Sequence, residues 1–105
     1  MAETSEQTVW IFHGDGAKFA SGVFATEAEA LVWAERHRVS GIVTEYPLGD
    51  GCYDVAVRLG TFSPSKPHHG KPEHVAAFSP GWTRHVHLID GLPASAYLPI
   101  SRPLF

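Results

Sequence analysis

A single cysteine, Cys52, stands in a chain of 105 residues, so no internal disulfide can staple the fold and a packed core must hold it. Long apolar runs are missing as well. None approaches the roughly 20 residues that cross a bilayer, so membrane insertion is not expected. Positive charge is scarce: 8 Lys+Arg stand against 11 Asp+Glu, for a net charge of -3, and basic residues cluster no further than Arg36-His37-Arg38. Nucleic-acid binding by phosphate neutralisation is therefore set aside. The start, Met1 to Gln7, is polar, without the basic and apolar regions of a secretory signal, and with the lone thiol this gives a cytoplasmic expectation. Gly14-Asp15-Gly16 lacks the later glycine and the Lys-Ser/Thr pair of a phosphate loop, so nucleotide cradling is not read from it.

Against these absences, 44% of residues are hydrophobic and 11% aromatic, enough for one core at a length typical of one domain. Three segments are expected: a disordered arm at 1–7, a globular domain at 8–91, and an apolar, proline-rich tail at 92–105. The arm holds two acids and no large apolar group after Met1, too little to offset the entropy of ordering. Thr8 to His13 is dense in β-branched and aromatic residues on both alternating faces and reads as a central strand. Lys18 to Phe24 then returns as a short strand or an extended arm.

Thr26-Glu27-Ala28-Glu29 has the form of a capping box and opens a helix at about 27–38, with Gly41 ending it. Ala30, Trp33, Ala34 and His37 follow helical spacing and should face the core. Gly41 to Tyr46 reads as a strand. Tyr53 to Leu59 fits either a strand, by alternation, or a short helix capped by Asp50 and closed at Gly60. Prolines at 64, 67 and 72 make 63–72 a loop, and Pro72 suits the first turn of a helix to about Phe78. Trp82 to Ile89 is the last strand, ended by Asp90-Gly91. The fold expected is α+β (or α/β), with a mainly antiparallel sheet of three or four strands, two or three helices, and the first and last strands side by side.

Trp10-Ile11-Phe12-His13-Gly14, Tyr46-Pro47-Leu48, Tyr53-Asp54, Phe62-Ser63-Pro64-Ser65-Lys66-Pro67-His68, and His85-Val86-His87 with Asp90-Gly91 occur in this order. In these motifs, over roughly residues 8–91, the chain resembles a family of small uncharacterised bacterial domains, a domain of unknown function. The resemblance implies a compact bacterial fold and no activity. Its members carry Tyr-Asp-Trp-Ala where this chain has Tyr53-Asp54-Val55-Ala56, which implies helix for that segment.

The chemistry-bearing candidates are few. His85 and His87 are two apart on a strand and so share one face; if His13 joined them from a neighbouring strand, three imidazoles with an open position would make a zinc site. The bland reading is that these imidazoles half-bury on the sheet and bond to nearby carbonyls. His68, His69 and His74 lie near the proline loop, where adjacent side chains of extended backbone point apart, and are expected to be solvated. Cys52, flanked by Asp50 and Asp54, is read as a small buried thiol rather than a nucleophile. Trp82, beside Pro80-Gly81, is the tryptophan expected to be partly exposed. With Tyr97, Leu98, Ile100, Leu104 and Phe105 of the tail it forms the candidate contact set for a partner.

The function expected is a small cytoplasmic binding or accessory protein, immunity-like or serving a pathway, whose partner is another protein or a second copy in a homodimer. No cofactor is expected. The alternative is a metal-dependent or acid/base enzyme using His13, His85 and His87, with zinc as its metal.

Overall fold

The computed structural model describes residues 7–97. β1 (Thr8–Gly14) and β2 (Gly22–Phe24) form the first antiparallel pair, followed by α1 (Glu27–His37) and β3 (Gly41–Pro47). The chain then leaves the sheet for α2 (Cys52–Leu59) and α3 (Pro72–Ala77), and returns as β4 (His85–Ile89), β5 (Leu92–Pro93) and a 3₁₀ turn, Ala94–Tyr97. All pairings are antiparallel, in the order β2-β1-β3-β4-β5. An α+β fold is thus present, with five strands where three or four were expected.

The extra strand follows from a two-residue turn. Asp90 and Gly91 both take positive φ (51° and 88°), the conformation that closes tight hairpins, so the chain folds back and Leu92–Pro93 pairs with β4 instead of starting a tail. The expected neighbourhood of β1 and β4 is overturned, because β3 lies between them. Only Arg38 to Ser40 separate α1 from β3, and β3 must run straight back along β1. Gly41 permits this approach: a Cβ there would press into the His13 carbonyl and the Phe12 ring.

α1 starts as its capping box dictates. The Glu29 amide donates to Thr26 Oγ1 and the Ala25 amide donates to Glu29 Oε1, both at 3.1 Å. It ends at His37, within a residue of the expected bound, but Arg38 rather than Gly41 terminates it: Arg38 takes the left-handed conformation (φ 55°) and its amide turns back to the Ala34 and Glu35 carbonyls. Ala30 and Ala34 are fully buried, and their small side chains let the helix lie close on Trp10, Phe12, Val43 and Leu88. Trp33 joins Phe12 and Phe24, each at a ring-centroid distance of 5.4 Å. The buried stripe stops at Ala34, so His37, expected in the core, is exposed and only edges the Trp33 ring.

The segment with two readings is a helix. α2 runs from Gly51 at its N-cap to left-handed Gly60, and it buries Val55 and Ala56. Asp50 does not cap it. Its carboxylate accepts from the Gly51 amide at 2.9 Å and pairs with Arg58 at 3.0 Å. β4 begins at His85 rather than Trp82, since the Thr83 amide and hydroxyl both donate to the Pro80 carbonyl and hold 80–83 in a turn. No helix among the described residues is long and apolar enough to cross a membrane.

Candidate functional site

Alternation along the strands decides which residues share a face. Trp10, Phe12, Val43 and Leu88 face α1, so His13, Ile11, Ile42, Thr44, His85 and His87 face the other way. In register, His13 sits opposite Ile42, and Ile42 sits opposite His87. The three histidines therefore share a face, but His13 is two strand spacings, roughly 10 Å, from His87. Their ring nitrogens are not gathered into one ligand set in this structure. His13 Nε2 instead lies against the Ala17 carbonyl, while His85 and His87 meet edge to face at 5.2 Å. Beside that pair lies a shallow cavity of about 290 Å³, lined by His85, Val86, His87, Pro93, Ala94 and Ser95.

The face is short of charge in a telling way. The side chains that alternation places on it are Val9, Ile11, His13, Val23, Ile42, Thr44, Tyr46, His85, His87 and Ile89, and not one is Asp, Glu, Lys or Arg. Val23 is 66% exposed and Ile89 45%, and His13, His85 and His87 are exposed as well. An open antiparallel sheet ordinarily turns polar side chains to water. Here the side opposite α1 is apolar with an imidazole fringe.

A second group of imidazoles converges where sequence reasoning placed solvated side chains. The ligand-capable atoms of His68, His69 and His74 all lie within 4.8 Å of one another. Two tight turns bring them together. The His69 amide donates to the Lys66 carbonyl at 3.0 Å, closing a turn with Pro67 at its second position, and the Lys71 amide donates to the His68 carbonyl at 3.2 Å, with Gly70 at φ 85°. The expectation of divergent side chains assumed extended backbone. Lys66-Pro67 and Gly70 were the turn signals that argued otherwise.

Backbone amides orient two of the rings. His69 Nδ1 accepts from Ser65 and Lys66 at 2.9 and 3.1 Å, and His74 Nδ1 accepts from Gly70 at 3.2 Å. Aromatic rings form the floor: Phe62 meets His69 at 4.9 Å and Phe78 at 5.0 Å, and Tyr53 of α2 meets His74 edge to face at 5.6 Å. Desolvation, with His68, His74 and Lys66 adding to it, holds the His69 imidazole below its ordinary value. His69 and His74 are half-buried, and His68 is exposed.

The remaining candidates are scattered. Trp82 is half-buried in a cleft of about 310 Å³ with Phe62, Phe78 and Ala56. Tyr97 ends the 3₁₀ turn, and Leu98, Ile100, Leu104 and Phe105 lie outside the described residues. Cys52 opens α2 with its thiol partly buried; burial pushes it up, the reverse of what a nucleophile needs.

Residues 9–94 match a family model described as "Domain of unknown function (DUF7710)". No match was found among curated proteins or among solved structures.

Proposed function

Because the chain belongs to that family of unknown function, no activity carries over, and we propose from the surface itself that it is a binding protein acting through protein contact. The observation that supports this is the charge-free sheet face: Ile11, Ile42, Val23 and Ile89 with His13, His85 and His87 around them. Val23 and Ile89 are exposed and Ile11 and Ile42 are half-buried between them; exposed apolar area is costly in water, and that cost is repaid when another surface covers it. The reading includes a cytoplasmic setting in a bacterium and an accessory or immunity-like role, for which the acidic balance and small size are suited. The partner is a protein, with a second copy of the chain as the first case to test.

The test is sedimentation of the full chain over a range of concentrations, together with photocrosslinkers placed at Val23, at Ile89 and, as a control, at exposed Val32 of α1. Self-association abolished by V23E or I89E, or crosslinks confined to positions 23 and 89 on a partner whose binding those variants abolish, supports the proposal. A chain that stays monomeric and crosslinks no more at 23 and 89 than at 32 overturns it.

A further inference from the structure

We propose that His68, His69 and His74 form a binding site for one divalent transition-metal ion of the zinc class. Imidazole nitrogen is the ligand type that zinc, nickel and copper favour, and three protein nitrogens with a fourth position open to water is a recurrent exchangeable arrangement. A tetrahedral ion with bonds of about 2.0–2.1 Å sets its ligands roughly 3.3 Å apart. The widest pair here is 4.8 Å, so closing the set needs a movement of about 1.5 Å at most, within reach of side-chain rotation on a surface loop. Exposed His68 supplies the mobile ligand, while half-buried His69 and His74 are pre-positioned beside it by backbone contacts that the ion would displace.

Those contacts also set the proton balance. With Nδ1 of His69 and His74 accepting from amides, each neutral ring carries its proton on Nε2. An ion takes either Nε2, whose proton then moves to Nδ1, or Nδ1 itself, and in both cases the amides of Ser65, Lys66 and Gly70 lose their acceptor. Binding is thus coupled to a local change in loop 65–70, and it weakens as pH falls because protons compete for the same lone pairs.

The aromatic floor of Phe62, Phe78 and Tyr53 excludes water from one side and gives the ion a rigid seat. The site is separate from the sheet-face histidines, so the two sets can be tested independently.

Zinc chloride is titrated into untagged full-length chain by calorimetry in two buffers of different ionisation enthalpy, and amide spectra are recorded in parallel. One zinc per chain is expected, with shifts largest at the amides of Ser65, Lys66 and Gly70. H68Q, which removes an exposed ligand and leaves the backbone contacts in place, should weaken binding by at least about tenfold, since even a lost outer-shell partner costs that much. H85Q/H87Q should leave it unchanged. Absence of binding, binding that H68Q does not weaken, or binding abolished by H85Q/H87Q overturns the site. Should a folding defect obscure H68Q, the amide shifts of the unaltered chain still decide: shifts confined to residues away from 65–74 refute the proposal.

Discussion

Replacing Gly91 by alanine measures how tightly the β4–β5 hairpin is seated on α1. A Cβ at this position would lie 2.9 Å from the Ala34 carbonyl oxygen, 2.9 Å from Arg38 Cα and 3.0 Å from Glu35 Cα. All three are backbone atoms of the last turn of α1 or its cap, and none can swing aside as a side-chain tip could. The Gly91 amide also donates to the Val39 carbonyl at 2.8 Å, so a shift of the hairpin strains a second contact. Two costs add. The left-handed backbone at φ 88° costs a residue with Cβ about 1–2 kcal/mol, and an intruding methyl in a close-packed region costs about 1–3 kcal/mol. The sum, about 2–5 kcal/mol, is a large fraction of the roughly 5–15 kcal/mol that stabilises a domain.

Gly16 supplies the control, having φ 73° and nothing within 4 Å of the added Cβ, so G16A bears the backbone cost alone. G91N separates the two terms from the other direction, because asparagine tolerates the left-handed region but keeps the clash. Urea and thermal unfolding of the three variants should rank G91A below G91N and both below G16A. G91A should melt at least about 5 °C below G16A, at roughly 4–8 °C per kcal/mol for a domain this size. Equal losses in G91A and G16A would refute the packing of the hairpin against α1.

Two further predictions concern titratable groups. His69 has its native value below 6.5, so the unfolded chain takes up the proton first; its stabilisation is complete above about pH 6.5 and is lost as pH falls from there towards the lower native value. The urea midpoint should therefore drop between pH 7.5 and 5.5, and H69Q should flatten that dependence; an unchanged slope in H69Q would count against the desolvation of its ring. Burial raises the Cys52 thiol, so iodoacetamide at neutral pH should alkylate the native chain more slowly than the urea-unfolded chain, and an equal or faster native rate would contradict the placement of the thiol.

Elements with a local chemical signature were legible in the sequence. The hydroxyl and carboxylate of Thr26 and Glu29 announced the start of α1, and dense β-branched and aromatic residues announced β1 and β3. The end of α1 was legible to within a residue but its cap was not, because an arginine took the left-handed position that glycine usually fills. Strand order was not legible either: His-x-His marks a strand and its face but says nothing of its neighbour, and the short link from α1 to β3 was the feature that put β3 between β1 and β4. The histidines that do converge were hidden by treating a proline-rich loop as extended. Pro67 and Gly70 occupy turn positions that reverse the chain twice within six residues, 66–71.

The long excursion between β3 and β4 gives the molecule a modular seam. β3 and β4 are hydrogen-bonded neighbours, and the Glu45 amide donates to the Arg84 carbonyl at 3.0 Å where the second strand begins. The excursion through residues 48–84, the histidine loop and its aromatic floor included, leaves and re-enters the sheet at that one doorway, with Leu48 hydrogen-bonded to Gln7, Arg84 paired with Glu27 and α2 resting against β3. The register of the sheet and the α1 core are set by contacts on the frame side of that doorway. A lineage could exchange or lengthen the pendant without redrawing the frame, and an engineer could graft a different loop there, or divide the chain within it, leaving the two pieces to find each other by strand pairing.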